Sequence, residues 1–250
     1  MRFLSRTILA LIICLVMAPA HASIVITGTR AIYPATEKSI SITLRNTGKT
    51  PSLIQAWVDK GGAINQDRTA GSPFLVTPPV SRLDPEKGLL LKVAYLNEPL
   101  PQDRESVFWL NVLEIPSQPS KKDADEESDT SGSLQIAFRS QIKLFYRPTA
   151  LKGSPSDAAQ NLEWTIASSD GRPVLRAIND SPYHISLSKL QLALGGNSHT
   201  YNELDMIPPL GNHDIALPDN VAGWAKSGAQ VRYTWINDFG GAIETEVSVQ

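Results

Sequence analysis

Short apolar runs separated by turn residues recur along the chain from residue 24 onward. Within them β-branched and aromatic residues alternate with polar ones, which is typical of strands in half-buried sheets. The runs are Ile24–Ile26, Ser39–Leu44, Leu53–Val58, Leu89–Tyr95, Leu162–Ile166, Val174–Ile178, Ile185–Leu187, Ile215–Leu217, Gln230–Ile236 and Glu244–Val249. Turn residues divide them at roughly the spacing of a β-sandwich, and no segment shows convincing helical periodicity. The pattern predicts an all-β protein.

The apolar alternation is interrupted between Pro148 and Ser156, where Pro, Gly, Ser and Lys replace it. A chain of 250 residues is long enough for two domains of about 100–150 residues each. We therefore predict two tandem β-sandwich domains, over residues 23–148 and 149–250.

Residues 1–22 have a different pattern. Two arginines precede an apolar run over residues 8–17, and Ala20-His21-Ala22 follows it. This order predicts a secretory signal peptide cleaved after Ala22. The run is shorter than the ~20 residues that span a bilayer, and no later segment approaches that length, so we expect no stable membrane anchor. The single cysteine, Cys14, lies in this run, so no intramolecular disulfide or cysteine-based metal site can form.

Charge and motifs argue against several classes of function. The formal net charge is −2, from 23 Lys and Arg against 25 Asp and Glu, which makes nucleic acid an improbable partner. The sequence contains no nucleotide-binding GxxxxGK[ST], no HExxH and no GxSxG. A hydrolase could use His213-Asp214 and Asp238, but no serine nucleophile is marked. We predict no catalytic residues, no cofactor and no metal site.

An acidic segment, 117–133, interrupts the strand pattern. It holds two lysines and five acidic residues, and none of its apolar residues is larger than Ala124. Such a composition predicts a mobile loop, either a solvated insertion or a contact for a partner.

The segment after this loop alternates over thirteen positions, from Leu134 to Tyr146. At about 3.3 Å per residue such a strand would measure roughly 43 Å, about twice the usual length. We therefore expect its first half to extend beyond the sheet that its second half joins. An apolar overhang of this kind suits the addition of a partner's strand, and the alternative is that a second sheet of the same chain covers it.

Five further segments are notable for their order and spacing: Thr29–Pro34, Thr77–Pro85, Leu100–Pro116, Gln141–Pro148 and Tyr233–Gly241. Together they resemble the motifs of the periplasmic pilus-assembly chaperones of the chaperone–usher pathway. The first four span the first domain and the last lies in the second. The resemblance implies two immunoglobulin-like domains set at an angle, a cleft between them, and a location in the periplasm.

The resemblance also implies partners and the residues that bind them. The expected partners are fimbrial or pilus subunits and an outer-membrane usher. Arg30 and Lys143 match the family's anchors for the C-terminal carboxylate of the subunit. Leu134, Ile136 and Phe138 match the side chains that a chaperone strand donates to the groove of an incomplete subunit.

A third set of matching residues carries a structural role in the family. Glu105, Arg147 and Asp238 match three charges that bridge the two domains and help to hold their angle. The chain departs from many members in two respects. It lacks the cysteines that form a disulfide near the end of the second domain, and its long acidic loop lacks the cysteine pair that commonly brackets the loop in the family's long-loop branch.

An adhesin, a pilin or a sugar-binding module is the alternative within the β-sandwich class. Sugar-binding modules expose aromatic side chains, whereas the tryptophans here mostly fall within strand patterns that favour core packing. They are Trp57, Trp109, Trp164, Trp224 and Trp235, of which Trp224 is the least settled. Self-assembly distinguishes a pilin from a chaperone, since a pilin polymerises and a chaperone forms a one-to-one complex with a different chain.

Overall fold

A computed structural model of the chain describes residues 23–61, 72–117 and 135–250. The predicted signal peptide, residues 118–133 of the acidic segment and Leu134 lie outside these ranges. The secondary structure is nearly all strand, and every strand ladder joins strands of the same half of the chain. The prediction of an all-β chain in two domains is confirmed.

The first domain is a sandwich of two sheets. Its strands are β1 (Ile24–Ile26), β2 (Arg30–Pro34), β3 (Ser39–Asn46), β4 (Ser52–Asp59), β5 (Phe74–Thr77), β6 (Val80–Leu83), β7 (Gly88–Tyr95), β8 (Ser106–Pro116) and β9 (Phe138–Arg147). One sheet has the order β1-β3-β7-β5 and the other β2-β9-β8-β4-β6. All of these neighbours are antiparallel except β2 and β9, which are parallel. Rings of Tyr33, Phe74, Phe108 and Tyr146 pack in the core between the sheets.

The second domain repeats the sandwich with a different strand order. Its elements are α1 (Pro155–Gln160), β10 (Glu163–Ser169), β11 (Arg172–Asn179), β12 (Ile185–Leu194), β13 (Asn197–Tyr201), β14 (Met206–Ile207), β15 (Gly211–Ala216), α2 (Asp219–Ala222), β16 (Gln230–Ile236) and β17 (Ala242–Ser248). One sheet is β10-β11-β15, and the other is β13-β12-β16-β17 with β14 paired to β12. Buried Trp164, Tyr233 and Trp235 lie in the core. Trp224 is partly buried against it.

The helix α1 is a difference from the sequence prediction. Ser154 caps it by accepting a hydrogen bond from the backbone of Asp157, and Pro155 occupies the first turn, where its missing N–H costs nothing. Six residues make fewer than two helical turns, so no apolar periodicity could develop. The local sequence signal for this helix is therefore its capping sequence, Ser154-Pro155.

The long strand predicted from Leu134 to Tyr146 is shorter in the structure. β9 begins at Phe138, and residues 135–137 are not strand. Continuing the register between β8 and β9 would place Ile136 opposite Pro116, which has no N–H to donate to the ladder. The side chain of Gln135 instead donates a hydrogen bond of 2.6 Å to the carbonyl of Pro116.

The described ranges contain neither a membrane-spanning helix nor a cluster of metal ligands. None of the helices there is long and apolar enough to cross a bilayer. No set of three or more His, Cys, Asp and Glu side chains in those same ranges is placed to hold a metal ion.

Candidate functional site

The parallel pairing of β2 with β9 brings two cations side by side. In this register Arg30 lies next to Lys143, and the two strands run on together to Pro34 and Arg147. Both side chains hydrogen-bond to residues of the second domain, so the two predicted anchor residues lie together at the junction between the domains.

Arg30 is held mainly by neutral groups. Its Nη1 donates a 2.8 Å hydrogen bond to the carbonyl oxygen of Ile236, and its guanidinium carbon lies 5.8 Å from the centre of the Phe145 ring. Its Nε is buried and has no hydrogen-bond partner. Burial lowers the pKa of Arg30, and the charges of Asp238 and Glu105 only partly offset that effect.

Lys143 has a similar environment. Its Nζ donates a 3.2 Å hydrogen bond to Ser186 Oγ and lies 5.8 Å from the ring centre of Trp109. Burial lowers the pKa of Lys143, the neighbouring charge of Arg30 lowers it further, and Asp205 acts weakly in the opposite direction.

Neither cation has an acidic partner within 4 Å among the residues that the structure describes. Two adjacent, partly desolvated positive charges repel each other, and an incoming anion relieves that repulsion. A carboxylate suits the pair, because it can accept charge-assisted hydrogen bonds from both side chains at once.

Arg147, at the end of the same strand, has full ionic compensation. Its Nε donates to Glu105 at 2.7 Å, and its two terminal nitrogens donate to the carboxylate of Asp238 at 2.7 and 3.0 Å. Burial by itself disfavours the charge on Arg147, but the hydrogen bonds and charges of the two acids outweigh it and raise the pKa. The structure thus brings together the three charges that the sequence comparison grouped.

This trio connects the two domains. Glu105 is almost fully buried; its backbone N–H donates to Pro182, and its carboxylate accepts a 2.9 Å bond from the backbone N–H of His184. Arg147 also lies 5.4 Å from the ring centre of Tyr183. Glu105 and Arg147 bond to each other within the first domain. Their other partners given above all belong to the second domain.

A cleft of about 260 Å³ lies beside these charges, between the domains. Arg30, Arg147, His184 and Trp235 are among the residues that line it. Phe239 is at its rim, in the turn between β16 and β17, and is 96% exposed. Glu105 and Asp238 also line the cleft and pair with Arg147, so the cation that the lining leaves for a bound chain end is Arg30, with aromatic groups beside it.

The first half of β9 has an open edge. Residues 138–142 pair with β8 on one side, whereas β2 reaches only residues 143–147 on the other. Among the described residues, no strand covers that remaining edge. Phe138 is 50% exposed and Ile136 52%, while Ile142 on the same face is buried. Two of the three predicted donor side chains are thus exposed beside an unpaired edge, and the third, Leu134, lies outside the described residues.

A polar network that the strand pattern did not predict lies on the outer face of this sheet. Arg139 donates to Asn111 at 2.8 Å and lies 3.4 Å from Asp59. Asn111, fully buried, donates to Asp59 at 2.9 Å. The network fixes β9 laterally on β8 and β4 next to the open edge. Its signal in the sequence was the polar residue within an apolar run, in Leu110-Asn111-Val112.

Two family models match the chain. The N-terminal domain of PapD, described as a pili and flagellar-assembly chaperone, matches residues 23–152, and the C-terminal domain of the pili assembly chaperone PapD matches residues 157–247. The chain belongs to this family of pilus-assembly chaperones. The resemblance inferred from the sequence is confirmed.

Individual relatives agree with the family models. The chain is 42% identical over 240 residues to the probable fimbrial chaperone YadV of Escherichia coli (strain K12), covering 95% of each chain. It is 38% identical over 238 residues to the chaperone protein FimB/FhaD of Bordetella pertussis, covering 93% of this chain and 91% of that one. The crystal structure of YadV superposes with a TM-score of 0.75 at 40% identity, covering 91% of this chain and 100% of the other. This pilus-assembly chaperone is therefore similar to fimbrial chaperones in both its sequence and its two-domain fold.

Proposed function

We propose that this chaperone binds an incomplete fimbrial subunit in the periplasm and delivers it to an outer-membrane usher. The subunit class follows from the relatives, which are named as fimbrial chaperones. The observation that carries the binding mode is the open edge of β9, which leads directly to two cations without an ion-pair partner. The subunit is bound through its main chain at this edge, which is the family's established mode of strand addition.

Arg30 and Lys143 bind the C-terminal carboxylate of the subunit. A chain end provides one charge at a fixed place in the sequence, so anchoring it sets the position of the whole paired strand along β9. A hydrogen bond to a charged group contributes about 1.5–3 kcal/mol. The cost of desolvating both cations is already met in the free chaperone, because the fold buries them.

Leu134, Ile136 and Phe138 enter the groove of the subunit where its own missing strand would lie. Burying an apolar side chain of this size contributes roughly 1.5–3 kcal/mol, so the three supply on the order of 5–9 kcal/mol before the costs of association. Register is essential here, because a slip of one residue would turn each apolar side chain to the opposite face. The carboxylate anchor prevents that slip.

The chaperone acts without catalysis or a nucleotide in this proposal. The sequence holds no nucleotide-binding motif, so the energy for release comes from the subunit itself. A subunit held incomplete gains stability when the strand of the next subunit replaces residues 134–138.

The charges of Glu105, Arg147 and Asp238 keep the cleft in shape. A mutually hydrogen-bonded trio specifies geometry even where its net contribution to stability is small. In the same proposal the domain boundary lies between residues 148 and 149, directly after the trio's arginine.

Co-purification tests the proposal. The tagged chaperone is produced with the products of its neighbouring genes, isolated from the periplasm, and analysed for a bound partner. We expect a one-to-one complex with a fimbrial subunit, which Lys143→Ala abolishes. The matched control is Lys92→Ala, because Lys92 is an exposed lysine on β7 of the same domain. A partner that persists in Lys143→Ala, or the absence of any partner, would contradict the anchoring role, and self-polymerisation would indicate a pilin.

Phe138→Asp tests the donor strand separately. A carboxylate at this position would have to be buried in the apolar groove without a partner, so we expect no detectable complex. Phe138 is half exposed in the free chaperone, so the variant should keep its thermal stability. Normal complex yield from this variant would rule out groove filling by this residue while leaving the carboxylate anchor in place.

A further inference from the structure

A buried acid at the other end of the first domain has no charged partner. Glu114 of β8 is 4% exposed, and no Lys, Arg or His side chain of the described residues lies within 4 Å of its carboxylate. It accepts hydrogen bonds from Ser52 Oγ at 3.0 Å, from the backbone N–H of Ile24 at 3.3 Å and from Ser23 Oγ. All of these donors are neutral, whereas a buried carboxylate normally has a cation or several strong donors.

The residue beside this carboxylate is the one that signal-peptide cleavage would expose. The motif Ala20-His21-Ala22 predicts cleavage directly before Ser23. The match to the family's N-terminal domain also begins at Ser23. Cleavage converts the peptide nitrogen of Ser23 into an ammonium group, in the same residue whose hydroxyl already contacts Glu114.

The surrounding backbone forms a socket for Ser23. Its carbonyl accepts hydrogen bonds from the backbone N–H of Thr47 at 2.7 Å and from Thr47 Oγ1 at 3.2 Å. A side chain at Gly48 would place its Cβ 2.6 Å from the Cβ of Ser23, so glycine is required there for the close approach. The side chain of Asn46, fully buried, holds this turn through the carbonyls of Thr50 and Leu83.

We propose that the Glu114 carboxylate is a binding site for the α-ammonium group of the mature chain, so that removal of the signal peptide completes the first domain. In the precursor the same nitrogen is a neutral amide and the carboxylate lacks a counterion. In the mature chain the ammonium donates charge-assisted hydrogen bonds to Glu114 and pins β1 to β3 and β8. Glu114 does not line the cleft, although it lies across the ladder from Phe138. The inference concerns the mature chain by itself and holds whether or not a subunit binds.

A cycle of four proteins tests the pairing. The mature chain beginning at Ser23 and a form extended by Ala20-His21-Ala22 are each prepared with and without Glu114→Gln, and their unfolding in denaturant is compared. A lost hydrogen bond between charged groups corresponds to about tenfold or more in the folding equilibrium constant. We expect the extension to cause such a loss in the chain with Glu114 and less than about a twofold change in the Glu114→Gln background. An equal loss in both backgrounds, or no loss in either, would overturn the proposal.

A chemical probe gives a second readout that needs no variant. Periodate oxidises an N-terminal serine because its free amine and hydroxyl lie on adjacent carbons, and Glu114 would hold both groups. We expect oxidation of the folded mature chain at least tenfold slower than that of a free peptide of residues 23–28. Equal rates would overturn the proposal, as would a mass of the periplasmic protein showing an N-terminus other than Ser23. This readout remains decisive if Glu114→Gln does not fold.

Discussion

The paired strands β2 and β9 carry cations in two opposite environments. Arg147 has acidic partners, whereas Arg30 and Lys143 have none within 4 Å among the described residues. Arg147 is surrounded by two carboxylates, with three hydrogen bonds between 2.7 and 3.0 Å, and its pKa is raised. Among the described residues, Arg30 donates a hydrogen bond to a carbonyl and Lys143 to a hydroxyl, and the pKa of each is lowered.

The difference distinguishes a structural charge from a binding charge. A cation that is buried with its counterions fixes the geometry of the domains and leaves no strong hydrogen-bonding capacity for a ligand. A cation that is buried without a counterion is held in a less favourable state, which an anionic ligand relieves. Two arginines in one cleft can therefore have different tasks, and the acids around them show which task each has.

The largest expected effect comes from breaking the compensated group. Arg147→Met leaves Glu105 buried without its counterion, which should lower the free energy of unfolding by about 3–5 kcal/mol. Denaturant unfolding measures this change. The matched control is Arg176→Met on β11, which breaks an arginine–aspartate pair remote from the cleft and should destabilise the protein far less. Similar stabilities of the two variants would refute a special role for the trio.

The next effect concerns the uncompensated group. Arg30→Ala and Lys143→Ala should each weaken the binding of the purified subunit by about 10- to 150-fold, which is the contribution of one hydrogen bond to a charged group. Each should lower the stability of the free chaperone far less than Arg147→Met does, because it removes one neutral hydrogen bond and, among the described residues, no ion pair. A titration followed by calorimetry gives the affinities. A subunit lacking its terminal carboxylate, prepared as the C-terminal amide, should bind the unaltered chaperone at least as weakly as either variant binds the normal subunit, and Lys143→Ala should cause little further loss with it.

A smaller effect follows from the lowered pKa of Lys143. Between that lowered value and its ordinary value of 10.5, the unfolded chain binds more protons at this position than the folded chain does. The contribution of Lys143 to stability therefore rises with pH across this window. In this window the free energy of unfolding should therefore rise more steeply with pH for the chaperone than for Lys143→Met. Denaturant unfolding at several pH values measures both slopes. Parallel pH dependences would mean that Lys143 is not desolvated in the folded state.

The smallest effect is expected from the acidic segment, whose residues 118–133 the structure does not describe. Deleting residues 121–129 removes charges that the sequence assigns to a solvated insertion, so the affinity for the subunit should change by less than about threefold, the scale of an exposed ion pair. The same titration measures it. A severe loss would show that Arg30 and Lys143, at the junction between the domains, are not the main source of charge recognition.

The strands were largely predictable because burial of one sheet face imposes a period of two on the sequence. Runs such as Gln230–Ile236 are strands with the same bounds in the structure. Two elements show where this signal fails. The helix α1 is too short to display a period. β9 begins only at Phe138 because the register would place Ile136 opposite Pro116, a constraint from a different part of the chain.

The residues of the site likewise divide into those that the sequence indicated and those that only the structure revealed. Arg30, Lys143 and the trio of Glu105, Arg147 and Asp238 were identified from family motifs, since lone charges carry no period and could equally be surface residues. That neither Lys143 nor Glu114 has an oppositely charged partner among the described residues could not be predicted, because it depends on which side chains are near in space.

The sequence by itself determined the strand pattern and the motifs that indicate a pilus-assembly chaperone, and it predicts an export signal. These are local properties, set by which residues follow one another. Only the tertiary structure decided which charges are paired, because ion pairing depends on distances between residues far apart in the chain, such as Arg147 and Asp238. It likewise decided which edge of β9 stays open, since that depends on where β2 ends beside it.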